Sequence, residues 1–256
     1  MKDIPMIMTM FLCGSFAGSF LNCICDRTIR NENLLTRSRC PDCGHVLGLF
    51  DLIPVFSYLF LKGRCRYCRK TIDPFCFCSE IIAGTLYVLA YFRFGICLEL
   101  MGNLTLISVL LMISLSDAKS MLIPDGAFFL LLLIRIAFFF LMKEEPETFM
   151  IRLLGSSLLG IFLYVTVRFS GKLTGSEMMG NGDVVLILTL GSFMSVREGL
   201  LALFLSCLIA MIYGFPFIKK KQCCCFPFAP AICLAYLTVL LYGEPVMRFY
   251  LSLFQK

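Results

Sequence analysis

The chain has 256 residues, of which 59% are hydrophobic and 16% are charged, and its net charge is +6. Soluble domains carry about 25% charged residues, so the composition excludes a soluble globular domain, a disordered chain, a collagen and a disulfide-stapled mini-protein. A polytopic helical membrane protein remains. The single histidine also excludes most zinc proteases, which bind their metal through two or three histidines.

Eight apolar segments are candidate membrane-spanning helices, because about 20 apolar residues cross a hydrocarbon core of ~30 Å. They are 4–25, 77–97, 101–117, 124–142, 149–169, 182–195, 197–218 and 227–243. The sixth segment is short for a crossing. The end of the chain, 244–256, fits an amphipathic surface helix.

Residues 26–76 interrupt the apolar pattern with a polar, turn-rich stretch that holds nine Lys/Arg and five Asp/Glu. Cytoplasmic loops retain Lys and Arg, which places this segment in the cytoplasm and the N-terminus outside. The same charge attracts anionic lipid of the bilayer. No nucleic-acid partner is expected, because aromatic residues do not interleave with the basic ones on a soluble surface.

Four cysteines in this segment, Cys40, Cys43, Cys65 and Cys68, form two C-x2-C pairs with 21 residues between them. Zinc prefers four thiolates in a tetrahedron, which leaves no open position for catalysis. The cytoplasm keeps thiols reduced, and a domain too small to bury a core gains folding energy from a metal. The spacing therefore predicts a structural Zn²⁺ site, with a redox pair or disulfides as the alternative.

The predicted fold is an all-α polytopic membrane protein of about eight transmembrane helices, with a small cytoplasmic zinc-ribbon-like domain between the first two. The corresponding domains are 1–25, the first transmembrane helix; 26–76, the cytoplasmic four-cysteine zinc-binding domain; and 77–256, a membrane helical domain. His45 lies beside the first cysteine pair, and we interpret it as a loop residue.

Two acids at the membrane boundary form the candidate catalytic site, since ionisable residues at membrane depth are costly. Asp117 ends the third helix and Asp183 begins the sixth, so the two helices between them bring both acids to the cytoplasmic face. Two carboxylates in a desolvated site share a proton and can activate water against a peptide carbonyl. Gly180 and Gly182 lie just before Asp183 and would permit close approach of a substrate and an unusual helix start. Helix capping or simple solvation is the alternative.

Other groups give weaker signals. Asp125 is expected to cap the fourth helix after Pro124, and Glu177 is expected to be solvated in a polar loop. Glu80, near the start of the second helix, is expected to pair with loop arginines or to contact a substrate. A Ser-His or Cys-His nucleophile would have to use His45, which lies in the cysteine-rich segment.

Five motifs follow one another along the chain. They are 14–22 (GSFAGSFLN); the segments 38–43, 51–59 and 63–68 around the cysteines; Asp117 with 123–125; 180–183 (GNGD); and 226–231 (FPFAPA). In this order they resemble the type IV prepilin peptidase family of GxGD-type membrane aspartic proteases, and Glu80 matches the acid that opens the family's second helix. Val185 stands where the family usually has lysine, and Ala229 where glycine is common.

The resemblance implies an endopeptidase that removes the basic leader of type IV prepilins or pseudopilins on the cytoplasmic side, with Asp117 and Asp183 as the catalytic pair. Many members also methylate the new N-terminus with S-adenosyl-L-methionine, and Asn22 and Glu80 are candidate substrate or methyl-transfer contacts. The alternatives are a methyltransferase only, or a proton-coupled membrane transporter or assembly factor. Acids that cluster at one face count against a transporter.

Overall fold

The computed structural model describes residues 3–30, 32–34, 36–174, 180–219 and 227–254. Within these ranges the regular structure is helical, and β-pairing is limited to two isolated bridges. The helices are α1 (Ile4–Ile29), α2 (Phe56–Phe60), α3 (Pro74–Phe94), α4 (Leu98–Ser120), α5 (Asp125–Leu141), α6 (Pro146–Thr174), α7 (Asn181–Gly191), α8 (Val196–Lys219) and α9 (Ala229–Phe254). A long helix lies at each predicted apolar segment except the sixth, where α7 is short. The expected separate helix over 244–256 is instead continuous with α9, which runs on through Pro245.

The ends of α3 show how local sequence sets the helix boundaries. Pro74 occupies the first turn, where a missing backbone N–H costs nothing, and the Asp73 side chain accepts a 2.9 Å hydrogen bond from the Phe75 N–H. At the other end Gly95 has φ +68°, a conformation that glycine adopts without steric cost. The helix therefore begins three residues before the start of the predicted segment 77–97 and ends three residues before the end of that segment.

Four of the described helices are long and apolar enough to cross a membrane: α1, α3, α4 and residues Pro146–Phe169 of α6. The chain is a multi-pass membrane protein on this evidence. Helix α7 has 11 residues, which span about 16 Å at ~1.5 Å per residue. The prediction of one helix over 182–195 was therefore too long, because a turn at Ser192 and Phe193 ends α7 after Gly191.

The chain forms two compact units, Met1–Met112 and Ile113–Lys256. In the first unit, α1 packs along α3 through small residues. A Cβ added at Gly14 would lie 2.6 Å from the Ala83 carbonyl oxygen, and one added at Gly18 would lie 2.7 Å from the Ala83 Cβ. Gly84 offers the same close approach to Ser15 on α1. Small residues on both helices let the two backbones touch, as membrane helix pairs require.

In the second unit, the short helix α7 is surrounded by α5, α6, α8 and α9. Its side chains Val184, Leu186 and Leu190 are buried among them. Gly160 on α6 lies against Leu188 of α7, where a Cβ would come within 2.7 Å of the leucine side chain. The helix that begins with the GNGD motif is therefore a core element of this unit.

Candidate functional site

Asp117 lies in the last turn of α4 and is buried. Its Oδ2 accepts a 3.0 Å hydrogen bond from the backbone N–H of Ala229, the first residue of α9. The first N–H groups of a helix have no partner within the helix and carry partial positive charge. The N-terminus of α9 thus supplies a donor to this carboxylate. Sequence reasoning missed this donor, because a backbone N–H leaves no trace in residue type.

Asp183 lies in the first turn of α7, where its own N–H reaches the Gly180 carbonyl at 3.2 Å. Asp183 and Asp117 are close enough for their charges to interact, and the buried Cys233 of α9 is within electrostatic range of both. The fold of the second unit therefore brings the two acids within range of each other's charge and places the start of α9 against Asp117.

The glycines of the GNGD motif differ from expectation in one respect. Gly180 has φ −67° and ψ 146°, an extended conformation open to any residue, so an unusual helix start was the wrong reason for a glycine here. A Cβ at Gly180 would stand 3.3 Å from the Asp183 Oδ2, whereas one at Gly182 would make an ordinary 3.5 Å contact with Ile123. Gly180 keeps space beside a carboxylate oxygen.

Two neighbouring carboxylates such as Asp117 and Asp183 can act together as a general acid and a general base. Where two carboxylates interact with little water between them, one holds a proton while the other is ionised. The ionised group can take a proton from water, and the protonated group can give one to a leaving amine. No covalent intermediate on the protein is needed.

The four cysteines Cys40, Cys43, Cys65 and Cys68 form a cluster in the first unit that could hold a metal ion. Their sulfur atoms all lie within 4.8 Å of one another, and the Cys40 and Cys68 sulfurs are 3.9 Å apart. A tetrahedral ion with metal–sulfur bonds of ~2.3 Å needs sulfur separations of about 3.8 Å. The backbone N–H groups of Cys68 and Tyr67 lower the pKa of the Cys65 thiol to about 7, whereas burial and the neighbouring thiols raise the pKa of Cys68 to about 11. Cys65 is therefore the more readily ionised of the two, and the thiolate is the form that binds metals.

The two cysteine pairs are structural repeats of each other, 25 residues apart, which sequence reasoning missed because few residue types match. Each pair sits in a loop closed by a β-bridge, Arg39 to Val46 in the first and Arg64 to Thr71 in the second. The same three backbone hydrogen bonds recur. In the first loop they run from Cys40 N to His45 O, from Gly44 N to Cys40 O and from Leu47 N to Ser38 O. In the second loop they run from Cys65 N to Lys70 O, from Arg69 N to Cys65 O and from Ile72 N to Gly63 O.

Glu80 of α3 bonds to the chain just before α2, and Asn22 of α1 bonds to Cys76 in the first turn of α3. The Glu80 Oε2 accepts a 2.7 Å hydrogen bond from the backbone N–H of Val55, a partner that the sequence did not suggest. The Asn22 amide nitrogen lies 2.8 Å from the Cys76 sulfur. Both side chains are buried, and each has one polar atom bonded within the chain.

The remaining sequence candidates are placed as follows. The His45 ring lies 3.6 Å from the Tyr67 ring, and Asp125 is the first residue of α5, one position after the N-cap Pro124. Asp125 is therefore not the cap that was expected, although it lies in the first turn. Glu177 and Phe226, the latter part of the fifth motif, lie outside the described residues.

Comparisons with known proteins match nearly the whole chain. The model of the bacterial peptidase A24 N-terminal domain matches residues 12–94, and that of the type IV leader peptidase family matches residues 104–215. Three curated relatives carry the name prepilin leader peptidase/N-methyltransferase. The protein of Bacillus subtilis (strain 168) is 30% identical over 97% of this chain and 99% of its own length. That of Aeromonas salmonicida (strain A449) is 31% identical over 87% and 77%, and that of Klebsiella pneumoniae is 32% identical over 72% and 83%.

No solved structure matches the chain. The family assignment therefore depends on sequence: two family models match successive parts of the chain, and one relative aligns with nearly all of it. On these findings the chain belongs to the type IV leader peptidase family.

Proposed function

We propose that this peptidase removes the basic leader of type IV prepilins or pseudopilins at the cytoplasmic face of the membrane, with Asp117 and Asp183 as its catalytic pair. The observation that carries the proposal is that the two acids lie within range of each other's charge, with the start of α9 bonded to Asp117. The names of the relatives support the substrate class.

In the proposed mechanism the two carboxylates act as a unit with one shared proton. The ionised member removes a proton from a water molecule, whose oxygen attacks the carbonyl carbon of the scissile peptide bond. The protonated member then donates its proton to the leaving nitrogen as the carbon–nitrogen bond breaks. The space kept by Gly180 beside the Asp183 oxygen would admit the substrate backbone.

The test is cleavage of a co-expressed prepilin, followed as a mobility shift. Asp117→Asn and Asp183→Asn should each abolish the shift, because an amide cannot exchange the proton, while the protein stays in the membrane. Asp125→Asn is the matched control: this exposed acid begins α5, and its loss should leave cleavage intact. Cleavage that persists in either Asp117 or Asp183 variant would refute the assignment.

We propose eight membrane crossings, with the N-terminus outside and the segment 26–76 inside. The cationic excess of 26–76 supports this orientation. Because α7 spans only about 16 Å, its crossing would need the residues that follow it. An even number of crossings puts both termini outside, so a C-terminal reporter that works only outside the cytoplasm should be active.

We propose that the cysteine cluster binds a structural Zn²⁺ through Cys40, Cys43, Cys65 and Cys68. The sulfur separations and the four-thiol donor set fit this ion. With all four positions filled by protein, the ion would stabilise the segment and leave the chemistry to the acids.

N-methylation of the new N-terminus is the second activity that we propose, supported by the names of the relatives. Glu80 and Asn22 stay the candidate contacts for this activity, and each is buried with one polar atom bonded to the chain itself. No step through S-adenosyl-L-methionine follows from them. Mass spectrometry of the processed pilin separates the cases: leader loss with an added methyl group shows both activities, and an uncleaved methylated product would show a methyltransferase only.

A further inference from the structure

An exposed apolar strip lies between the two cysteine pairs. It consists of Leu49 and Phe50 in a short 3₁₀ helix and of Phe56, Leu59 and Phe60 in α2. Leu49 is 83% exposed, Phe50 78% and Phe60 84%. Large side chains grouped in this way on a polar domain mark a surface that is covered in the cell.

Two contacts hold this strip against the opening turns of α3. The Val55 N–H, just before α2, bonds the Glu80 carboxylate at 2.7 Å, and the Tyr58 ring stacks on the Phe77 ring at 4.6 Å. Val55 has φ +65°, a strained conformation for a β-branched residue that the surrounding contacts must maintain. The position of α2 beside α3 is therefore fixed.

The length of α3 sets the depth of these contacts in the bilayer. Its 21 residues span about 31 Å, barely more than a hydrocarbon core of ~30 Å. The first turns of α3 must then lie at the boundary between headgroups and acyl chains. Glu80 lies about 9 Å along the helix from Pro74. It therefore holds Val55 and α2 at the boundary between headgroups and acyl chains or slightly on the acyl-chain side of it.

The charges around the strip complement an anionic lipid surface. Two acids of the segment are already in ion pairs, Asp51 with Arg66 and Asp42 with Lys70, each at 2.7 Å. Lys62 and Arg64, directly after α2, are exposed. Apolar side chains next to exposed cations are typical of helices that lie in the membrane interface.

We propose that the strip is an interfacial membrane anchor: Leu49, Phe50, Phe56, Leu59 and Phe60 insert into the adjoining leaflet, while Lys62 and Arg64 contact anionic headgroups. This fixes the cysteine-containing segment on the bilayer surface. The proposal depends on α3 crossing the membrane and is independent of the catalytic pair.

The chain contains no tryptophan, so single tryptophans introduced into the full-length protein report on their own surroundings. The probe is Phe60→Trp, in nanodiscs of phosphatidylglycerol and phosphatidylcholine. Ile82→Trp, on the exposed side of α3, is the bilayer reference, and His45→Trp, in the first cysteine loop, is the aqueous reference.

Insertion predicts that lipids brominated near the headgroup quench the tryptophan at position 60, that its emission is blue-shifted relative to His45→Trp, and that iodide quenches it little. Quenching by iodide as strong as for His45→Trp, without quenching by brominated lipid, would overturn the proposal. So would protection from iodide that develops only when a prepilin is added, because the strip would then bind the substrate.

A second measurement tests the headgroup contact. In the Phe60→Trp protein, brominated lipid should quench the tryptophan more strongly in anionic nanodiscs than in purely zwitterionic ones. Adding Arg64→Gln should make this difference smaller. Arg39→Gln is the matched control, since Arg39 is exposed and occupies the equivalent position in the first cysteine loop. Equal loss in both variants, or none in either, would contradict a specific role for the cations after α2.

Discussion

Arg135 donates a 2.9 Å hydrogen bond from its Nε to the carbonyl oxygen of Ser192, the residue that caps the C-terminal end of α7. The arginine lies within α5 and is only 3% exposed. Its Nη2 is 2.7 Å from the Glu144 Oε2, and its Cζ lies 4.5 Å from the centre of the Phe149 ring. A buried cation therefore holds one end of the helix whose other end carries Asp183, with a sign that suits the helix dipole.

Arg135→Gln should destabilise the protein by about 3 kcal/mol, because it breaks a buried ion pair and frees the end of α7. Arg135→Lys keeps the charge but loses the planar set of donors, so an intermediate loss is expected. Thermal unfolding in detergent measures both. Arg197→Gln, at an exposed arginine, should change little, and an equal loss there would show that the effect is one of net charge.

Ala229→Pro removes the N–H that binds Asp117, at a helix start that tolerates proline. A hydrogen bond to a charged group contributes about 1.5–3 kcal/mol, so leader cleavage should fall at least about tenfold. Ala229→Val adds similar volume but retains the N–H. Cleavage that falls equally in both variants would assign the effect to crowding at this buried position.

Gly14→Ala should weaken the α1–α3 contact, because the new Cβ would clash with the backbone at Ala83 and Gly84. Overpacking of this kind costs roughly 1–3 kcal/mol, measured as a lower unfolding midpoint in detergent. Gly126→Ala is the control: nothing lies within 4 Å of the added Cβ, and the substitution should be neutral or slightly stabilising in a helix. Equal behaviour of the two variants would exclude close packing as the cause.

Metal removal should unfold the segment around the cysteines and leave the long helices intact, since the segment has little core of its own. A chelator, or Cys65→Ser, is expected to release one Zn²⁺ per chain and to open this segment to protease, with helical circular dichroism largely retained. Cys97→Ser, at an exposed cysteine outside the cluster, should retain the metal. Purified protein without stoichiometric zinc would contradict the assignment.

The repeated cysteine loops predict that substitutions at the equivalent positions Gly44 and Arg69 change stability in opposite directions. Gly44 has φ +68° and Arg69 has φ +63°, so only the second loop places a side chain in the left-handed region. Gly44→Ala should lower stability by about 1 kcal/mol, because nothing crowds the added Cβ and only the backbone conformation is penalised. Arg69→Gly should reverse that penalty, and resistance to a chelator measures both. A loss in both variants would show that Arg69 contributes more through its contacts than its conformation costs.

Composition and apolar runs were sufficient to predict the helices, because about 20 apolar residues have few alternatives to spanning a membrane. The number of helices between Asp117 and Asp183 was the reason to expect them at one face, and the structure brings them within charge range of each other. What escaped prediction involves backbone groups: the Ala229 N–H on Asp117, the Val55 N–H on Glu80 and the Ser192 carbonyl on Arg135. Any residue type can supply such groups, so no pattern identifies them. The early end of α7 was missed because Phe193 and Met194 continue its apolar run beyond the turn.

The hydrogen bond between Asp117 and Ala229 joins groups 112 positions apart. A nascent chain that has emerged only through α8 already contains both acids but not the amide that binds the first of them. The order of synthesis thus makes the final helix the last part of the carboxylate environment to arrive. A chain truncated before α9 would insert as a bundle that carries the acids without their full setting.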